Sequence, residues 1–187
     1  MKLKRILFCA MLIVVVGCGG NEQKKPDSEK ALNPPENWEV YDKSDMAFRT
    51  AYPPQWKIDE EEPGKRVQFL RKGSGGESFL ACSINASEDS KMSQDNLDKI
   101  AKGVIQRQRK KTSDIKIYRN GPAEVGNYQG HELVLSKPSK GEKRLRFIQR
   151  YLYSGTHFGI LTCLTYESNY SRDASTIETY YDQFEWK

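Results

Sequence analysis

The sequence has few of the residues from which metal and catalytic sites are built. Its 187 residues include two histidines, His131 and His157, and neither stands at metal-ligand spacing from a cysteine or from the other histidine. The motifs G-x-S-x-G and H-E-x-x-H and a phosphate-binding loop are missing. An acidic run over 59–62 precedes Pro63 and is interpreted as a solvated loop. We therefore predict no enzyme activity, no metal site and no cofactor.

A large excess of positive charge is also missing. The formal net charge is +5, but Lys2, Lys4 and Arg5 contribute three of those charges and leave +2 for the rest of the chain. Nucleic-acid binding needs a dense basic face that neutralises many phosphates, so we expect no nucleic-acid partner. The apolar share of 37% is low but sufficient for one globular domain with tails.

No apolar run is long enough to span a bilayer. The run ILFCAMLIVVV covers 11 residues, 6 to 16, whereas a transmembrane helix needs about 20. It follows the basic residues at 2, 4 and 5 and ends in the small residues GCGG. A basic start, a short apolar middle and a small-residue exit are the parts of an export signal.

The exit is similar to the lipobox of bacterial lipoproteins, because the residues VVG precede Cys18. The resemblance implies a signal peptide over 1–17, cleavage before Cys18 and diacylglycerol on its thiol, usually with a further acyl chain on the freed amine. Two or three chains hold a protein firmly on a membrane. The predicted location is the bacterial cell envelope, and Gly19 in place of aspartate favours the outer membrane if the organism has two membranes.

A tether and one domain follow the anchor. Residues 18–36 are rich in Gly, Pro, Lys and Glu and have almost no aliphatic side chains, so they cannot bury enough surface to fold. A flexible segment of this length has a root-mean-square span of roughly 20 to 25 Å. The globular domain is predicted to cover 37–187.

Periodicity in the domain predicts short strands and two helices. A helix over 94–110 carries one apolar face and has Ser93 as its N-cap, and a last helix is capped by Ser171. Because hairpin-length turns join most strands, we expect an α+β fold with an antiparallel sheet of about six to seven strands covered by the two helices. The predicted strands, of which the first three form a meander, are 46–52, 66–72, 78–85, 114–121, 130–137, 143–153 and 157–167.

Several segments of the domain resemble the PsbP-like family. They are the Trp38 and Tyr41 start, FRTAYPPQWKI, VQFL, SFLACSI, one amphipathic helix, a late F-G-I-L-T strand and a helix that ends in F-E-W. The resemblance covers about 38 to 187 and implies an α/β/α sandwich. It also implies an accessory or scaffold protein, and the family has no active-site residues to carry across.

Two cysteines remain in the domain once Cys9 is removed with the leader and Cys18 is acylated. Cys82 and Cys163 both lie in the middle of predicted strands, and the compartment beyond the inner membrane is oxidising. They form either a disulfide between the meander and the last strand or two small buried residues that never meet. Sequence alone does not give the distance that decides between these alternatives.

Two basic clusters are candidates for binding an anion or an acidic partner. Arg144, Arg146 and Arg150 alternate with apolar residues, so a strand would place them on one face. The tail of the first helix carries the second cluster, Arg107, Arg109, Lys110 and Lys111. The functional interpretation is recognition of lipid headgroups, an anionic envelope polymer or an acidic envelope protein, and the alternative is an ordinary solvated face.

The sequence therefore favours a membrane-anchored, non-enzymatic binding or assembly protein of the cell envelope. The alternative function is a small-ligand or substrate-delivery domain with a pocket between sheet and helix. A deep apolar pocket would favour the second function, and a flat arginine-rich face would favour the first.

Overall fold

The computed structural model describes residues 32–62, 64–71, 78–89, 91–139 and 143–187. The predicted signal peptide and Cys18 lie outside these residues. A short 3₁₀ helix, Glu167–Asn169, leads into the second α-helix. The described elements are β1 Glu39–Asp42, β2 Phe48–Tyr52, β3 Trp56–Glu62, β4 Arg66–Arg71, β5 Leu80–Glu88, α1 Gln94–Lys111, β6 Lys116–Val125, β7 Tyr128–Pro138, β8 Arg144–Tyr153, β9 His157–Tyr166, α2 Tyr170–Asp182 and β10 Glu185–Trp186.

The strands form two antiparallel sheets, and the fold is α+β as predicted. The larger sheet has seven strands in the order β3-β4-β5-β9-β8-β7-β6, and the smaller has the order β1-β2-β10. Most neighbouring strands of the larger sheet are joined by hairpins. The exception is β9, which pairs with β5 after α1 and three further strands. The predicted meander was wrong in its first member, because β2 belongs to the smaller sheet and β3 takes its place beside β4.

Helix α1 covers one face of the larger sheet. It begins after Ser93, as predicted, although the Ser93 side chain makes no capping hydrogen bond. Leu97 and Ala101 are fully buried against β7 and β8. Neither α1 nor α2 combines the length and the apolar composition that a membrane-spanning helix requires.

Helix α2 and the smaller sheet cover the opposite face, where aromatic side chains dominate the core. Tyr180, Tyr181 and Phe69 are completely buried in this layer. The predicted cap Ser171 was wrong, because α2 begins at Tyr170 with Asn169 before it. The 3₁₀ helix already turns the chain ahead of Ser171, so no cap is needed there.

The acidic run over 59–62 is the end of β3 and not a loop. Glu60 accepts a hydrogen bond of 3.1 Å from the Tyr41 hydroxyl and lies 2.5 Å from the Lys43 amino group. These contacts lower the pKa of Glu60 although partial burial opposes the shift, and the Lys43 hydrogen bond has the largest effect. The run therefore helps to join the two sheets.

Cys82 and Cys163 face each other on β5 and β9. Their Cα atoms lie 4.1 Å apart, and the structure joins their sulfur atoms as a disulfide. Both residues are buried in the aromatic core layer. The bond thus connects adjacent strands whose sequence separation is 81 residues.

Candidate functional site

Arg144, Arg146 and Arg150 lie on one side of β8, as the alternation predicts, but this side faces the α2 layer. The exposed fractions of their side chains are 20%, 12% and 9%. These three residues therefore form neither an ordinary solvated face nor the flat arginine-rich face that would favour the first function. Each one pairs with a carboxylate of the same domain.

Arg150 is the most deeply placed of the three. Its Nε donates to Glu132 at 2.8 Å and its Nη2 donates to Glu178 of α2 at 2.5 Å. The guanidinium also lies 4.5 Å from the centre of the Tyr181 ring. Burial alone would lower the pKa of Arg150, but the two carboxylates outweigh burial and raise it. Arg150 joins β8 to α2 and has little capacity left for an external ligand.

Arg146 lies among two tyrosine rings and one carboxylate. Its guanidinium carbon is 3.9 Å from the centre of the Tyr118 ring and 4.1 Å from that of Tyr170. Its Nη2 donates to Glu167 at 3.0 Å. Arg144 is more accessible and donates to Asp114 at 2.6 Å, in the segment just after α1. These arginines hold β8 against its neighbours.

The helix tail, defined as Arg107, Arg109, Lys110 and Lys111, remains open to solvent on the opposite side of the sheet. None of the four forms a salt bridge with a carboxylate of the described residues. They lie at the negative end of the helix dipole, where cations are favoured. The structure therefore separates the two predicted basic clusters. Of these two clusters, the helix tail is the one whose charges are not paired with described carboxylates.

The β7–β8 hairpin extends this basic surface. Lys137 donates to the Gln108 side chain at 3.1 Å, which places it beside the helix tail. Its amino group lies 4.7 Å from the centre of the Phe147 ring. Burial, assisted by the charge of Lys111, lowers the pKa of Lys137. Sequence reasoning missed Lys137 because its position next to α1 depends on how the helix crosses the sheet.

The N-terminal chain joins the domain at the same end of the sheet. Trp38 lies with Trp56, Arg71 and Thr176 around a small groove of about 160 Å³. Trp56 is opposite Arg71, and the neighbouring pair is Lys57 and Leu70. The row that contains Leu70 continues through β5, β9 and β8 to Leu135 of β7, two residues before Lys137. Trp38 therefore lies at the same end of the sheet as the helix tail.

The other end of the sheet carries acidic side chains. Glu88 is opposite His157 there, and Asp89 donates its backbone N–H to the Thr156 carbonyl just before α1 begins. Asp95 lies in the first turn of α1. These three carboxylates thus lie at the end of the sheet opposite the helix tail, together with Lys91.

The histidines have structural partners. His131 is buried, its Nε2 lies 2.7 Å from the Asn120 side-chain oxygen, and burial lowers its pKa. The His157 ring stacks on Trp186 with 5.4 Å between ring centres. Within the described ranges, no group of three or more His, Cys, Asp or Glu side chains could hold a metal ion.

Grooves on the described surface are open to solvent. One of about 370 Å³ is lined only by α1 and the turn before it, including Met92, Ile100 and Gly103. Another of about 730 Å³ lies by Glu88 and His157. Neither is the pocket between sheet and helix that the small-ligand alternative requires. The described geometry therefore gives that alternative no specific support.

The arrangement of sheets and helices is also found in solved structures. The solution structure of cyanobacterial PsbP (CyanoP) from Synechocystis sp. PCC 6803 aligns with 87% of this chain and 99% of its own, with a TM-score of 0.60 and 12% sequence identity. The domain has the PsbP-like fold. The Ran-binding protein Mog1p of Saccharomyces cerevisiae is similar over 80% of this chain and 95% of its own, with a TM-score of 0.53 and 9% identity. No family model and no curated protein sequence matches the chain.

Proposed function

We propose that the protein is a lipoprotein of the bacterial cell envelope that acts as a non-enzymatic binding or assembly factor. Cys18 is its attachment point, and the PsbP-like domain presents the helix tail to an acidic envelope protein. Bacterial lipidation is supported by the lipobox resemblance. The single observation that carries the binding role is the exposed helix tail, which has no described carboxylate partner and lies at the end where the N-terminal chain joins.

Two features of the domain support binding rather than catalysis. Arg146 and Arg150 on β8 form ion pairs with carboxylates of the domain, and the histidines contact Asn120 and Trp186. Cyanobacterial PsbP and a Ran-binding protein have the same fold. By analogy with the Ran-binding protein, we infer that this domain also contacts a protein, while the partner's acidic character is inferred from the helix tail alone.

The anchor and the binding surface are tested separately. Cys18→Ala is expected to abolish palmitate labelling and to release the protein from membranes; continued labelling would refute the anchor. For binding, Arg109→Glu with Lys110→Glu should remove partners captured by chemical cross-linking in intact cells, which are identified by mass spectrometry. Lys99→Glu with Lys102→Glu, which makes the same charge change earlier on α1, serves as the control. Equal capture by both double variants would refute the role of the helix tail.

A further inference from the structure

The face of the larger sheet that α1 packs on has an apolar region that the helix covers only in part. The helix packs over β7 and β8, and Phe147 of β8 and Phe158 and Ile160 of β9 pack against the same cluster. Strands β4 and β5 lie beyond it in the sheet order. Six partly buried side chains on this face, at the end where the N-terminal chain joins, are called the apolar strip: Leu70, Phe79, Leu145, Phe147, Leu164 and Tyr166.

The alternation of side chains along the strands shows that the strip lies on the α1 side of the sheet. Phe69, Leu80 and Cys163 are fully or almost fully buried in the aromatic layer on the other side of the sheet. Their sequence neighbours therefore point toward the α1 side. Within the strip, Leu164 is opposite Phe147 and Leu145 is opposite Tyr166.

Lysines border the strip on both sides. Lys57 is opposite Leu70 at one edge. At the other edge, the Lys137 amino group lies over the Phe147 ring, and that of Lys143 lies 4.8 Å from the centre of the Tyr166 ring. None of these lysines forms a salt bridge with a carboxylate in the part of the chain that the structure describes. Their charges are therefore available to an anion.

A cationic rim around leucine and aromatic side chains matches an anionic lipid surface. The ammonium groups meet phosphates, while the exposed parts of the rings and leucines contact the headgroup region. Because the N-terminal chain joins beside Trp56 and Arg71, a tether would hold this end near the membrane at a high effective concentration.

We propose that the apolar strip and its lysine rim dock the domain onto the surface of an anionic phospholipid bilayer. The inference rests on the proposed function for the tether, and it adds an orientation. The apolar strip and its lysines face the membrane, while Glu88 and Asp95, at the other end of the sheet, face away from it.

The test measures which lysines the bilayer shields. The full acylated chain is reconstituted in phosphatidylcholine vesicles with and without phosphatidylglycerol, and lysine acetylation is quantified by mass spectrometry. We expect acetylation of Lys57, Lys137 and Lys143 to fall several-fold only in the anionic vesicles. Lys91, near the acidic end, is the internal control and should not change. Equal acetylation of Lys137 and Lys143 in both vesicles would overturn the proposal.

A charge-reversal variant gives the second measurement. Lys137→Glu with Lys143→Glu is expected to remove this protection from Lys57, and to weaken binding of non-acylated chain to anionic vesicles by about tenfold or more. Lys99→Glu with Lys102→Glu is the matched control. If the non-acylated chain binds anionic and neutral vesicles equally, docking is refuted although the Cys18 anchor stands. If Cys18 proves not to be acylated, selective binding of the non-acylated chain still supports the surface.

Discussion

The buried carboxylate of Asp173 offers a sharp test of what holds the domain together. Its side chain is completely buried, and Arg71 donates two hydrogen bonds to it, at 2.8 and 3.2 Å. Thr165 donates a third at 2.6 Å. Since Arg71 is on β4, Thr165 on β9 and Asp173 on α2, this one carboxylate joins three elements.

Asp173→Asn keeps the size of the side chain but removes its charge. The substitution leaves the Arg71 guanidinium without its counter-charge in a position where 19% of the side chain is exposed. Removing one partner of a buried pair costs about 3–5 kcal/mol. The matched control is Asp114→Asn: Asp114 pairs with Arg144 but is 58% exposed, and such pairs contribute about 0–1 kcal/mol.

Urea unfolding followed by tryptophan fluorescence, with the disulfide intact, measures the free energy of unfolding of both variants. Burial alone would raise the pKa of Asp173, but the hydrogen bonds from Arg71 and Thr165 hold it below its usual range. The pair's stabilisation is therefore complete above about pH 4 and is lost as the pH falls through the lowered pKa. The Asp173→Asn variant should not show this loss of stability as the pH falls. If Asp173→Asn lowers the free energy of unfolding by no more than Asp114→Asn does, the Asp173 network does not stabilise the domain as described.

Two further predictions concern the sheet. Denatured, unreduced protein should show no reactive thiol at Cys82 or Cys163; two reactive thiols there would disprove the disulfide, which on the chain-entropy model contributes about 4–5 kcal/mol for so long a loop. Gly130→Ala should lower the free energy of unfolding by about 1–3 kcal/mol, because the added Cβ would lie 2.5 Å from the Tyr151 carbonyl oxygen. Chemical denaturation checks this, and an unchanged midpoint would show that the strands separate easily.

Local periodicity predicted the long elements well. The helix expected over 94–110 is α1, which ends at Lys111, because its apolar face repeats with helical spacing. The four long strands after it are also present. The smaller sheet was not predictable, since β10 has two residues and pairs with β2, which lies more than 130 residues earlier. Such pairing is set by tertiary packing and leaves no local pattern.

The candidate site shows the same difference between local patterns, which the sequence reveals, and tertiary contacts, which it does not. The alternation on β8 correctly placed Arg144, Arg146 and Arg150 on one face, because side-chain direction is a local property of a strand. Their burial depends on Glu167 and Glu178, which approach from elements later in the chain. Lys137 escaped notice for the same reason, since Gln108 is its neighbour only after α1 packs on the sheet.

The position of the disulfide constrains how the protein is made. Cys82 is 1% exposed and Cys163 is fully buried, so an oxidising enzyme cannot reach them once the two layers have packed. Oxidation must therefore precede closure of the core. The separation of 81 residues means that β9 must also have left the site of synthesis before the bond can form. Oxidation and packing thus have a fixed order, and a mutant that packs too early would remain reduced.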